Sequence, residues 1–211
     1  MIDFLAEHVK PDQIVIADGG SKDDTIQVIE FYIKRGFPIT LVQNPMPDSF
    51  AEQRNLALSY CTGDWILQID ADETYSKSIK ELIEEIRAGQ HNEYDGFIFG
   101  TAQLIIDENH MCDDGGDLHK RLFKNKPGIK FIGDIHERIN LEGNFLQTLR
   151  VGLRHYSMLK NDEELKVKGK RYMQWQERSC SAGIPIHNEN HFIEAIKRYN
   201  KVPYDVPKEW Q

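Results

Sequence analysis

Three short apolar runs, residues 14–17, 39–42 and 65–69, are separated by stretches whose apolar residues recur at helical spacing. Ile26, Ile29 and Ile33 share one face of the first stretch, and Gly36 stops it. Ser49 and Glu52 have capping-box spacing at the start of the second, which is expected to run to about Cys61. Ile79, Leu82, Ile83 and Ile86 mark the third, with Gly89 just past its end. Strands without polar alternation must be covered on both faces. This order therefore predicts an α/β fold built on a parallel sheet with helices on either side. Ligands of such sheets sit at the carboxyl ends of the strands. Two acidic segments stand there, Asp18-Gly19-Gly20 and Asp70-Ala71-Asp72-Glu73.

The second half reads differently. Short strands are expected around 96–100, 103–106, 118–123, 130–132, 135–141 and 146–155, divided by turns such as Asn125-Lys126-Pro127-Gly128. They predict a mixed or antiparallel extension of the sheet. Helical patterning returns from Asp162 to about Ser181 and from about Asn188 to Tyr199. With 211 residues, 40% of them hydrophobic, the chain suits one domain or one domain with a small appendage, and its core needs no disulfides. Cys61, Cys112 and Cys180 are odd in number and lack metal-site spacing, so they read as reduced thiols. No apolar run approaches the ~18 residues of a membrane span. The start lacks the basic and apolar regions of a signal peptide, so a cytoplasmic chain is expected. A net charge of −8 argues against a broad nucleic-acid footprint.

Asp70 and Asp72 straddle one residue at a strand end, where two carboxylates repel. A hard divalent cation, Mg²⁺ or Mn²⁺, relieves that repulsion and takes phosphate oxygens from a substrate. A solvated acidic turn capping the next helix is the plainer alternative. Asp70-Ala71-Asp72-Glu73-Thr74 also resembles the Asp-x-Asp-x-Thr of haloacid-dehalogenase phosphatases, with Asp70 as nucleophile and Asp72 as acid/base. That family carries the motif on its first strand, whereas two strands precede it here. Its later acidic pair has only Asp113-Asp114 to supply it.

The segments VIADGGSKDDT and FAEQRNLALSYCTGDWILQIDADE together resemble family 2 glycosyltransferases of the GT-A fold. The matching residues are Asp18, Ser21, Asp23 and Thr25, then Arg54-Asn55, Thr62-Gly63-Asp64 and Asp70-Ala71-Asp72. HKRLFKNKPGIKFIGDIHERI resembles the Arg-Leu-Phe … His-Glu segment of a subgroup that includes lipopolysaccharide-core glucosyltransferases and phage enzymes. LRHYSM resembles a late His-x-x-Tyr-like element, with the tyrosine displaced to follow His155 directly.

The resemblance implies a mixed GT-A sheet flanked by helices over residues 1–158, with C-terminal helices over 159–211. The family's usual first strand would precede Met1, so the domain reads as N-terminally shortened. It also implies a nucleotide-diphosphate sugar donor, a UDP-sugar first among them, and a divalent cation. Asp18 and Gly20 would meet the base, and Arg54 the nucleotide. Asp70 and Ala71 would meet the ribose or metal side, while Asp72, Asp70 and His155 would hold the metal. Glu137 is the candidate general base, with Asp117 and Asp134 as rivals, and Arg121 would assist the departing diphosphate. One base and in-line displacement predict inversion. Acceptors left open are glycans, lipid-linked glycans, protein side chains and modified bases of phage DNA, and a non-catalytic nucleotide- or glycan-binding relative stays open too.

Plainer readings stand beside these roles. Glu137 would pair with Arg138 or Arg121, Arg121 would be a surface residue, and His155 would be a hydrogen-bonded structural histidine. Trp175 reads as a packing anchor, His187 and His191 as a solvated pair, and Asp113-Asp114-Gly115-Gly116 as a loop. The run Lys160, Lys166, Lys168, Lys170, Arg171 reads as a solvated helix face, or as a contact with an anionic lipid at the inner membrane face or with a polyanionic acceptor.

Overall fold

The computed structural model describes residues 1–44, 49–104, 110–112, 117–133, 137–178, 188–198 and 201–203, with backbone alone for 112, 174–178, 198 and 201–203. Asp134, His136, Cys180, His187, the loop 113–116 and the turn residues 45–47 lie outside the described residues, as do the side chains of Cys112 and Trp175.

The chain opens with α1 (Ile2–Phe4), which continues as a π-helical turn over Leu5–Val9. Lys10 ends it at φ 50°, donating its N–H to Leu5 O at 2.8 Å. Then come β1 (Ile14–Asp18), α2 (Thr25–Lys34), β2 (Ile39–Gln43) and α3 (Phe50–Ser59). Ser49 caps α3 as its spacing predicts, its hydroxyl accepting the Glu52 N–H at 3.1 Å. Next are β3 (Trp65–Leu67), β4 (Glu73–Tyr75) and α4 (Ile79–Arg87), ended by Gly89 at φ 78°. The second half supplies β5 (Gly96–Gln103), β6 (His110–Cys112), β7 (Leu118–Lys124), β8 (Phe131–Ile132), β9 (Arg138–Ile139) and β10 (Phe145–His155). After these come α5 (Asp162–Arg178), α6 (His191–Arg198) and β11 (Lys201–Pro203).

The main sheet has the order β3-β7-β5-β10-β4, and β10 runs parallel to β5 while its other pairs are antiparallel. β1 and β2 pair in parallel in a sheet of their own. The expectation of one parallel sheet through the first three strands is therefore corrected. β3 lies antiparallel to β7, because that pairing places Leu67 beside Leu122 on one face and Ile66 beside Phe123 on the other. Both faces of that pair are packed, in separate clusters. Among the described residues the unpaired edges of β1 and β3 both border one large cleft. Two further elements differ from expectation. β4 follows the acidic segment directly, before any helix, and β11 pairs with β6.

One face of the main sheet carries Phe97, Phe99, Leu122, Tyr75 and Leu153 beneath α4 and the N-terminal helix, through Ile79, Leu82, Ile83, Leu5 and Val9. Full burial contributes about 1.5–3 kcal/mol for each such side chain. Opposed residues on paired strands point to the same face. Phe99 pairs with His119, Leu153 with Tyr75 and Thr101, and His155 with Glu73 and Gln103. The same face thus changes from apolar to polar toward one end, and that polar end opens on the cleft. On the opposite face Asn55 of α3 clamps β8. It donates to Phe131 O at 2.9 Å and accepts from Phe131 N at 2.7 Å.

Candidate active site

The cleft measures about 1790 Å³ and is lined by β1, β3, the polar end of the main sheet, α3 and α5. Asp70-Ala71-Asp72 forms the turn between β3 and β4 on its floor. Backbone bonds hold the turn at three points: Glu73 N–H donates to Asp70 O at 3.1 Å, Tyr156 N–H to Asp72 O at 2.9 Å, and Gln68 N–H to Arg121 O at 2.8 Å. The Glu73 side chain, with the residue 2% exposed, bends back to accept the Asp70 N–H at 2.8 Å. Arg121, 6% exposed, donates to Glu73 at 2.5 Å and stands 3.6 Å from Asp70. The reading of Arg121 as a surface residue is overturned. A bulge in the β5–β7 ladder beside Leu122 turns its side chain into the carboxylate cluster.

Arg54 is the centre of the cluster. Its two terminal nitrogens grip both oxygens of Asp70, at 2.5 and 2.8 Å, and its Nε donates to Glu137. Glu137 therefore pairs with Arg54, not with Arg138 or Arg121. The pair joins residues 83 apart in sequence. In the orientation that satisfies both cations, the Gln68 carboxamide oxygen accepts from Arg121 at 2.7 Å and from Arg54 at 2.8 Å. Burial alone would raise Asp70, but the hydrogen bonds and charge of Arg54, then the charge of Arg121, hold its carboxyl down to about 2. Burial pushes Glu73 up, with Arg121 opposing.

Asp72 and His155 face each other, Oδ1 to Nε2 at 3.6 Å. Burial pushes Asp72 up, and the His155 contact more than reverses it. With Asp70 committed to two arginines, Asp72 and His155 are the groups of this set left to meet a cation. A carboxylate and one further ligand, completed by diphosphate oxygens and water, is how Mg²⁺ and Mn²⁺ are commonly held, so the donor set fits. Among the described residues no three His, Cys, Asp or Glu side chains form a closed cage.

Ala71 is exposed on the floor, and Asp117 and His191 also line the cleft. Asp18 and Gly20 are not brought to its lining. The Asp18 carboxylate, in a residue 6% exposed, turns into its own loop and accepts from Gly20 N at 2.9 Å, Ser21 N at 3.1 Å and Ser21 Oγ at 2.5 Å. Burial opposes those bonds, yet together they lower its pKa. Cys61 is a free thiol that burial pushes up. Sequence reasoning gave no site role to Glu73 or Gln68, and read Lys168 only as part of a basic helix face. Glu73 stood in the quoted acidic segment, but a neighbouring acid carries no mark of being turned inward. Thr74 donates to or accepts from the Tyr156 hydroxyl at 3.1 Å.

Comparison with known proteins places the chain in a family. The sequence model described as glycosyl transferase family 2 matches residues 2–134. The chain is 30% identical over 160 residues to the lipopolysaccharide core biosynthesis glycosyltransferase LpsC of Rhizobium meliloti, covering 75% of this chain and 58% of LpsC. It is 29% identical over 163 residues to the SPbeta prophage-derived glycosyltransferase SunS of Bacillus subtilis, covering 74% of this chain and 36% of SunS. The chain thus spans little more than half of one relative and about a third of the other. Among solved structures, S. aureus TarS 1–349 in complex with UDP superposes with a TM-score of 0.53 at 13% identity, over 93% of this chain and 65% of that one. The complex of the same protein with UDP-GlcNAc gives 0.54 at 14%. The phosphatase alternative falls with these matches and with Asp70 already engaged by Arg54. The chain belongs to glycosyl transferase family 2 and has the GT-A fold.

Proposed function

We propose that the protein transfers a glycosyl unit from a nucleotide-diphosphate sugar, a UDP-sugar first among the candidates, to a hydroxyl of a glycan or lipid-linked glycan, with inversion at the anomeric carbon. The observation that carries this reading is the Arg54 fork. It joins the Asp70 strand-end carboxylate to Glu137, so a diphosphate-side group and a candidate base share one rigid frame. Asp72 and His155 would be the protein ligands of a divalent cation, which when bound supplies positive charge against the departing diphosphate. Ala71 on the exposed floor of the same turn would lie under the donor. Arg121, fixed by Glu73, faces the same charge from the sheet. Asp18 and Gly20 stay candidates for the base-binding loop at the end of β1. Residues 1–158 would form the catalytic unit, with 159–211 packed against it as one wall of the cleft.

In the step proposed, an acceptor oxygen bonds to the anomeric carbon and its proton passes to Glu137. The bond from that carbon to the diphosphate oxygen breaks, and its electron pair leaves with the diphosphate. A single carboxylate on the acceptor side requires no covalent intermediate, which is the basis for inversion. Arg54 orients Glu137 toward the cleft, and Glu73 holds the Asp70–Asp72 turn in place.

Asp72→Asn tests the reading by UDP release from UDP-sugars with Mn²⁺ present. A fall of about 10²–10³ in kcat/KM is expected. Unchanged turnover and unchanged metal dependence would sink it.

A further inference from the structure

The basic run on α5 does not behave as one solvated face. Lys166 pairs with Glu163 at 3.0 Å and Lys170 with Glu189 at 3.1 Å, and neither lysine lines the cleft. Lys168 turns the other way, into the cleft that holds Asp72. The rotation of the helix is set by two residues one turn apart. Leu165, 2% exposed, packs on Phe192 and Ile193 of α6. Gly169 lies against the backbone of Glu189, where an added Cβ would strike the carbonyl oxygen and sit 3.0 Å from its carbon. With that face pinned, Lys168 and Tyr172, also four apart, both line the cleft.

Lys168 is half-buried, and among the described residues no carboxylate stands within ion-pair distance of it. Its Nζ lies 4.7 Å from the centre of the Phe192 ring and 5.9 Å from that of Tyr172. Its electrostatic neighbours are Lys160, which repels it, and Asp72, which attracts it. Burial is the main cause that brings the ammonium down to about 8. A cation drawn out of water without a counter-ion is costly, and two ring faces offset only part of that cost. An anion in the cleft would complete it.

We propose that Lys168 is a diphosphate-binding residue of the donor site, its ammonium resting against Phe192 and Tyr172 to meet the phosphates placed beside Asp72. The proposal rests on the nucleotide-sugar reading above and adds a contact from the C-terminal helix to it. As the bond to the anomeric carbon breaks, its electron pair goes to the diphosphate oxygen. The contact therefore strengthens toward the transition state.

Calorimetric titration of UDP against UMP, and of GDP against GMP, with and without Mn²⁺, tests this on the wild-type protein, Lys168→Met and Lys168→Arg. In the preferred base series the wild type should bind the diphosphate more tightly than the monophosphate. Lys168→Met should weaken the diphosphate about tenfold or more while moving the monophosphate far less. Lys168→Arg should restore most of the difference, and thermal melting should show both variants folded. A diphosphate-to-monophosphate ratio unchanged in Lys168→Met overturns the proposal and leaves the nucleotide-sugar reading standing. Equal wild-type affinity for the two phosphate lengths does the same. A wild-type protein that binds none of the four nucleotides overturns both.

Discussion

Arg54 shows how one side chain defines the centre of this site. Its guanidinium carries donors in a fixed fork, so a bidentate grip on Asp70 leaves Nε directed at Glu137. A lysine would supply charge without that geometry. Glu73 does comparable work from beneath. It is almost fully buried, receives the Asp70 amide and balances Arg121. Removing one member of a buried pair leaves the other charge uncompensated, which costs about 3–5 kcal/mol. Glu73→Gln is therefore expected to lower the unfolding free energy by about 3 kcal/mol in urea titration. The double variant Glu73→Gln with Arg121→Met should recover part of that loss, because the stranded cation is gone. Additive losses in the cycle would show that the two residues act independently.

At the level of elements, the site depends on strands that bring distant residues to one edge. β5 lies between β7 and β10, and Gly96 sits where those neighbours press closest. A Cβ there would stand 2.5 Å from a ring carbon of Phe145 and 2.6 Å from Leu122 O. Gly96→Ala should cost about 1–3 kcal/mol through overpacking, read as a lower melting temperature. α3 is placed by its cap and by the Asn55 clamp on β8, and it carries Arg54 one residue before that clamp. Ser49→Ala should cost about 1 kcal/mol in chemical unfolding, with the loss confined to the stability of the α3 end.

Across the whole molecule, the polar end of the sheet makes stability depend on acid in two legs. His119 lies among buried groups on the cleft floor, where burial, then the charge of Arg121, brings its imidazole down from 6.5 to about 4. In the unfolded chain it takes up a proton near its ordinary value, and in the folded chain it does so only near 4. The stability it contributes is full above pH 6.5 and is lost as pH falls toward 4, an amount of about 3 kcal/mol. Asp70, held down to about 2 against an ordinary 3.8, contributes stability that is full above that ordinary value and lost as pH falls through about 2. Urea midpoints measured from pH 7.5 to pH 3 should decline first below pH 6.5 and again below 4. His119→Gln should flatten the first leg and leave the second. No described helix is long and apolar enough to cross a membrane.

Local chemistry was legible in the chain wherever it is settled by neighbours along the backbone. The apolar runs that became β1, β2 and β3, the Ser49 cap, the stops at Gly36 and Gly89, and the acidic turn at Asp70–Asp72 all follow from period, capping and turn preferences. The family is legible for the same reason, because its motifs are short and contiguous. Partnerships were not legible. That Glu137 meets Arg54, that Glu73 turns inward to Arg121, and that β3 pairs with β7 instead of β1 depend on segments tens of residues apart being packed together. Lys168 is the clearest case. In sequence it is one of several alternating lysines, and only the packing of Leu165 and Gly169 against the 188–193 segment fixes the helix rotation that turns it to the cleft Asp72 also lines.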